Sequence, residues 1–197
     1  GDLTKEVQEE IFEQLLKQVE GTSMMLNNLL HWANTQMDGT VVQLEDINLT
    51  EIVDMSIDSF YMEAFTKKIT INNLSHQNNH FINADLGQTR IIVQNVLANA
   101  IKFTPVEGSV EVFYSEDHHY QNLHIVDYGL GMSKNVRDEI INYDKRMSSE
   151  MGTAMEKGTG LGLLLVKQFL VNNNGTMDIK SEEGKGTEFI ISFLKAK

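Results

Sequence analysis

The apolar pattern of this chain changes period at Asp38-Gly39, and that change divides what the chain can fold into. From Leu3 to about Met37 there is no proline, and apolar or small residues alternate spacings of three and four at Phe12, Leu15, Val19, Thr22, Leu26, Leu29 and Ala33. This is the seam of a helix that packs on other helices. A second stripe at Ile11, Leu16 and Leu30 widens the face, which suits a bundle better than a two-stranded coil. Gly21 is its weak point. A length on the order of 50 Å at ~1.5 Å per residue favours an intermolecular bundle over the plainer alternative, an amphipathic helix folded back on its own domain. Residues 1–38 therefore read as one long helix, and 39–197 as a compact domain.

After the break the period switches repeatedly. Val41 to Leu44 predicts a short strand, and Leu49 to Lys67 a helix capped by Asn48 or Thr50. Short strands follow near Ile69–Asn72 and Phe81–Ala84. Asp85-Leu86-Gly87-Gln88 has the form of a capping box and opens a helix through Phe103, with Pro105, the only proline, just past its end. A hairpin is predicted from Ser109–Ser115 and Asn122–Asp127, then a helix from about Ser133 to Ile141. The polar stretch from Tyr143 to Gly158 has the length of a lid. A helix opening near Gly160 is predicted to stop at Gly175, and strands Thr176–Ser181 and Thr187–Phe193 close the domain. The expected class is α+β: a two-layer sandwich of a mixed β-sheet and about three helices, behind one long N-terminal helix.

Charge limits the partners. Sixteen basic residues against 28 acidic ones leave a net charge of -12, whose field repels nucleic acid and anionic membranes. No nucleic-acid partner is expected. A polyphosphate ligand would need backbone amides, a divalent cation and a few placed cations to overcome that field. No apolar run approaches the ~20 residues of a membrane span, and no export signal opens the chain, so a cytoplasmic location is expected, with anchoring of a larger parent protein left open. The absence of cysteine excludes thiolate metal sites and disulfides.

Three segments carry chemistry. Asn95, Asn99, Lys102 and Phe103 fall at i, i+4, i+7 and i+8 and share one helical face. Two carboxamides, an ammonium and a ring suit a hydrated Mg²⁺, a phosphate and a base or sugar, although a solvated helix side has the same pattern. Asp127-Tyr128-Gly129-Leu130-Gly131-Met132 follows a strand. A carboxylate there can accept from an exocyclic amine while glycines let the backbone approach a planar base; any Asp-Gly turn looks alike. Gly158-Thr159-Gly160-Leu161-Gly162-Leu163 opens a helix, where free amides and the helix dipole favour an anion. Its spacing is neither that of a Walker loop nor a dinucleotide fingerprint.

In this order and at these separations the three segments resemble the Bergerat-type ATP-binding domains of two-component sensor histidine kinases. The first is similar to the family's asparagine box and the other two to its lid-flanking glycine boxes. Gly184-Lys185-Gly186-Thr187-Glu188-Phe189 is similar to its last glycine-threonine box. The resemblance spans about Val41 to Phe193. It extends weakly to Asn28-Leu29-Leu30-His31-Trp32-Ala33, which resembles the end of the second dimerisation helix.

The resemblance implies ATP and Mg²⁺ as ligands, with Asn99 holding the metal, Asn95 supporting it, Lys102 facing the phosphates and Phe103 the sugar or base. Asp127 would accept from the adenine amine, with Gly129, Gly131 and Met132 around it. Gly158, Thr159, Gly160, Leu161, Gly162 and Leu163 would present the phosphate-binding turn, and Thr187 would reach adenine through water. Lys145, Arg146 and Lys157 are candidate lid cations, with a solvated lid as the alternative.

Two departures qualify it. The family's acceptor is a histidine followed by an acidic residue, with proline five positions on, and none of His31, His76, His80, His118, His119 or His124 fits. The lid's usual phenylalanine box is replaced by Ile141–Met147, where Tyr143 is the available aromatic. The implied activity is transfer of the γ-phosphoryl group to a histidine on a separate dimerisation helix, in a homodimer that passes it to a response regulator receiver domain. A nucleotide sensor that transfers nothing, and an ATP-hydrolysing relative of the gyrase and mismatch-repair branch, are the competing readings.

Overall fold

The computed structural model describes residues 8, 11, 12, 15, 19, 42–74, 78–142 and 162–196. The chain divides into two compact units, Gly1–Thr40 and Val41–Lys197. In the first, Gln8, Ile11, Phe12, Leu15 and Val19 are helical, and the four apolar side chains among them are exposed. The rest of the seam, Leu16, Thr22, Leu26, Leu29, Leu30 and Ala33, lies outside the described residues.

The second unit begins with β1 (Glu45–Asn48), α1 (Leu49–Ser59), α2 (Tyr61–Thr66), β2 (Thr70–Asn73) and β3 (Phe81–Ala84). There follow α3 (Leu86–Phe103), β4 (Ser109–Glu116), β5 (Tyr120–Asp127), α4 (Lys134–Asn142), α5 (Gly162–Asn172), β6 (Thr176–Glu182) and β7 (Gly186–Leu194). Five strands form a sheet in the order β2-β4-β5-β7-β6, with β2 parallel to β4 and the other pairs antiparallel. β1 and β3 pair separately. Alternation sends Val110, Val112, Leu123, Ile125, Phe189 and Ile191 to one face, where they are buried against the apolar stripes of α1, α3 and α5. The expected mixed-sheet sandwich is therefore present. Five helices occur among the described residues of this unit beside a sandwich expected to have about three: α1, α3 and α5 make the layer, α2 is the remainder of the helix expected over Leu49–Lys67, and α4 is the one expected from about Ser133 to Ile141. No helix among the described residues is long and apolar enough to cross a membrane.

Four local readings change. The first strand occupies Glu45–Asn48, and residues 42–44 of the expected run Val41–Leu44 are not part of it, because the ladder with Phe81–Ala84 places Ile47 inward against the core and leaves Leu44 exposed. The helix expected over Leu49–Lys67 breaks at Phe60, whose φ of -98° and ψ of 5° leave the helical region. Just before the break the Ser56 and Ser59 hydroxyls donate to backbone carbonyls, a local competition with the helix ladder.

The capping box is only half made. Asp85 Oδ1 accepts from Gln88 N at 2.9 Å, but Gln88 Oε1 is taken by Asn172 and Asn173. Asn173 Oδ1 instead accepts from Asp85 N at 2.6 Å, so the end of α5 caps the start of α3. Finally, the left-handed residue ending α5 is Asn174, at φ 53°, rather than Gly175. Gly175 is needed for closeness: an added Cβ would stand 2.7 Å from Ser192 O on β7.

Candidate functional site

The helix α3 is the spine of the site. Its buried stripe of Ile92, Val93, Val96, Leu97, Ala100 and Ile101 packs on the sheet and leaves Asn95, Asn99, Lys102 and Phe103 half-buried. Asn95 Nδ2 donates to Ile91 O at 2.8 Å, which turns Oδ1 outward to Gly162, the first residue of α5. A Cβ on Gly162 would lie 2.5 Å from that oxygen, so α5 starts directly against the asparagine face. The Asn99 side chain makes no hydrogen bond among the described residues, leaving a carboxamide oxygen for a ligand. Lys102 Nζ stands 4.7 Å from the centre of the Phe103 ring, within cation–π range.

The end of α3 is closed by three different elements. A helix leaves its last four carbonyls without intrahelical partners. Here Thr104 Oγ1 donates to Ala100 O at 2.7 Å, and Lys67 Nζ donates to Ile101 O at 2.9 Å and Lys102 O at 3.0 Å. Phe103 O accepts from Leu130 N at 3.2 Å. That last bond joins α3 to the loop after β5, and Gly129 is required there because a Cβ would overlap Phe103 O. Lys67 is buried, and sequence reading assigned it no role. Its only sequence signal is a charged residue at a turn, which is too common to single out.

Asp127 is the last residue of β5 and is 2% exposed. Burial pushes its carboxyl up to about 6, against the opposing pull of hydrogen bonds from the backbone of Gly129 and Thr187. Gly129 N donates to Oδ1 at 3.0 Å. Beside it, Thr187 is buried and its Oγ1 lies 3.0 Å from Ser181 Oγ. Ser181 Oγ also accepts from Met132 N at 2.9 Å and donates to Gly186 O at 2.9 Å. Ser181 was not foreseen; opposite Thr187 in the β6–β7 register, it ties the loop after β5 to the final hairpin. Gly186 holds φ 95°, and a Cβ there would overlap Asp127 O; Gly131, at φ 62°, is equally tight against Glu182 O.

A cleft of about 380 Å³ opens at this end of β5–β7, lined in part by Asp127, Arg137, Lys180, Ser181, Lys185 and Thr187. Its three cations are each paired, with Asp138, Glu188 and Glu182. Asn95, Asn99 and Phe103 do not line it, so the cleft covers the Asp127 end of the site and not the asparagine face. Leu163 is half-buried at the start of α5. Tyr143, Lys145, Arg146, Lys157, Gly158, Thr159, Gly160 and Leu161 lie outside the described residues.

On the opposite sheet face His124 has both ring nitrogens engaged, by Ser115 Oγ at 2.7 Å and Glu188 Oε1 at 2.8 Å, and it stacks on Phe113. Burial alone would raise the Glu188 carboxyl, but hydrogen bonds from His124 and Lys180 outweigh it and hold it below its ordinary value.

A profile described as histidine kinase-, DNA gyrase B- and HSP90-like ATPase matches residues 84–197, more than half of the chain. The chain belongs to this ATPase family. Within it, the similar proteins are sensor histidine kinases, and this domain is of their ATP-binding catalytic kind. Sporulation kinase A of Bacillus subtilis (strain 168) is 28% identical over 192 residues, covering 98% of this chain and 30% of the relative. Sensor histidine kinase YxdK of the same strain is 28% identical over 195 residues, covering 98% of this chain and 58% of the relative. The chain thus spans only part of the length of the curated relatives it matches. A crystal structure of full-length ShkA in complex with AMPPNP is similar over 100% of this chain and 41% of its own, at 25% identity and a TM-score of 0.74.

Proposed function

We propose that the unit from Val41 to Lys197 binds Mg²⁺-ATP and transfers its γ-phosphoryl group to a histidine on a dimerisation-type helix. Residues 1–38 are then the second helix of that dimerisation domain, and none of the six histidines of the chain is the acceptor. The observation that carries this reading is Asp127: a buried carboxylate at a strand end, bracketed by glycines whose backbone approaches too closely for any Cβ. An ionisable group kept that dry, at a cost the fold need not bear for stability, suits a dedicated acceptor for the exocyclic amine of adenine. Gly129, Gly131 and Met132 shape its surroundings, and Thr187 stands beside it for a water-mediated contact.

Asn99 fits a magnesium ligand, since its oxygen is hard, neutral and uncommitted among the described residues. Among those residues no cluster of three His, Asp or Glu side chains would hold a metal alone, which accords with an ion carried largely by the triphosphate. When bound, Mg²⁺ would neutralise and orient the phosphate oxygens. Lys102 would face the phosphates and Phe103 the sugar or base. Gly162 and Leu163, at the described end of the turn Gly158–Leu163, would present amides to the phosphates, and Tyr143, Lys145, Arg146 and Lys157 would act from the lid.

The Asn95 carboxamide can orient water but has no lone pair basic enough to take its proton. A neutral imidazole needs no base: its nitrogen lone pair attacks the γ-phosphorus, the bond to the bridging oxygen breaks, and ADP leaves with the electron pair. The reading favours transfer over hydrolysis for that reason. In the full-length protein the partners would be a second copy and a downstream response regulator receiver domain, on the cytoplasmic side where ATP is available.

The test is labelled ATP offered with and without a separate acceptor-histidine helix. Label is expected to move to the helix, with phosphate release alone at least ~100-fold slower, and Asn95→Glu is expected to raise that release by supplying a general base worth ~10²–10⁴. Rapid acceptor-free release by the wild type would move the protein to the hydrolysing branch.

A further inference from the structure

We propose that Lys67 is a positioning residue for the nucleotide site, a buried ammonium that pins the end of α3 so that the asparagine face and the Asp127 loop keep one geometry. The inference rests on the nucleotide reading above for its functional consequence, but its structural part stands on contacts alone.

Lys67 is 6% exposed in a chain of net charge -12, a costly place for a cation unless it is fully engaged. Its Nζ bonds the carbonyls of Ile101 and Lys102, two successive orphans at the negative end of an 18-residue helix. Those carbonyls belong to residues 34 and 35 positions away in sequence, so the bonds serve tertiary placement and not local helix formation. The backbone of Lys67 braces the same spot: its carbonyl accepts from Glu107 N at 3.0 Å, in the turn that leads from α3 to β4.

The next carbonyl along, Phe103 O, accepts from Leu130 N, and Leu130 lies three residues beyond Asp127. Lys67 and Leu130 therefore hold adjacent carbonyls of a single helix end, one from the α2–β2 turn and one from the loop that presents the buried carboxylate. Lys102 and Phe103, which present their side chains to the site, are the residues whose backbone is held. With the ammonium removed, two carbonyls in a dry environment lose their donors, and the last turn of α3 must seek water or unwind. Either response moves Lys102 and Phe103 and loosens the Leu130 bond, while leaving Asn95 and Asn99, one to two turns earlier, in an intact helix.

The test compares the wild-type chain with Lys67→Met and Lys67→Arg, measuring Mg²⁺-ATP affinity by calorimetry and site-resolved amide exchange at a temperature where each is folded by circular dichroism. Lys67→Met is expected to weaken Mg²⁺-ATP at least ~10-fold and to speed exchange at the Thr104 and Leu130 amides, with the β5–β7 ladder still protected. Lys67→Arg, which keeps donors for both carbonyls, is expected to recover most of the affinity and the protection. Should Lys67→Met not fold, Lys67→Gln serves the same comparison, since its shorter neutral amide loses both charge and reach. Wild-type affinity in a folded neutral variant, or exchange accelerated uniformly across the domain, would overturn the positioning role. Localised acceleration in a chain whose wild type binds no Mg²⁺-ATP would leave the pin intact and reject the nucleotide reading.

Discussion

The two ends of the candidate site are built differently. At the Asp127 end the central polar groups are held: buried Asp127 and Thr187 and half-buried Ser181 bond neighbouring backbone or one another's hydroxyls, and Gly129, Gly131 and Gly186 leave no room for a side chain. At the asparagine end the side chains are half-buried on a helix flank, and Asn99 bonds nothing among the described residues. A pre-bonded, dry end can discriminate, because a ligand that fails to match it leaves a buried charge unpaired. An open flank of carboxamides adapts, and suits a hydrated ion and phosphates that bring their own charge. On the proposed function, the contrast assigns base selection to the sheet end and charge handling to the helix.

The sharpest way to break this division is Asn99→Ala. Mg²⁺-ATP affinity is expected to fall at least ~100-fold, more than the ~10 to 100-fold typical of residues one shell out from a metal. ATP measured in EDTA should be indifferent to the change. Calorimetry showing equal losses with and without Mg²⁺ would put Asn99 outside the metal's reach.

Asp127→Asn probes the other end and should have a smaller effect. Losing a charge-assisted acceptor costs about 1.5–3 kcal/mol, or roughly 10 to 100-fold in ATP affinity. Inorganic triphosphate, which has no base to recognise, should bind both proteins alike. Parallel losses for the two ligands would erase the distinction between the ends.

The last effect is read on stability and not on ATP affinity, and it has the opposite sign. The folded value of Asp127, about 6, stands above its ordinary 3.8, so the native state holds this proton more tightly than the unfolded chain does. That contribution is fully present below about pH 3.8 and is lost as pH rises through about 6, a swing on the order of 3 kcal/mol. Asp127→Asn removes the titration. Its melting temperature relative to wild type is expected to be roughly 6–12 °C more favourable at pH 8 than at pH 4, a gain that trades against the lost ATP affinity. A melting difference independent of pH would mean that the carboxylate is better solvated than its burial indicates.

Much of this was legible in the sequence because it is local. The spacing of Asn95, Asn99, Lys102 and Phe103 sets one helical face whatever surrounds it, and a 3.6-residue period needs no partner to be read. The Asp-x-Gly-x-Gly segment after a strand, and the switch from helical to alternating pattern after Asp38-Gly39, are likewise properties of short windows. By itself the sequence determined the α+β class, most element boundaries, and which side chains share the face of α3 and the loop after β5 that the proposed function uses.

Tertiary structure decided what depends on a distant partner. β1 settled on Glu45–Asn48 because pairing with β3 and burial of Ile47 outweigh the apolar run before it. Gln88 gave its side chain to Asn172 and Asn173, 84 and 85 positions away, and Asn173 accepts the Asp85 N–H in its place. Lys67 is an ordinary turn lysine until α3 ends above it, and Ser181 an ordinary strand residue until the loop after β5 folds onto it. Hydrogen-bond groups in a dry interior must find partners wherever the chain path supplies them, and that path is a property of the whole fold that no window of the sequence contains.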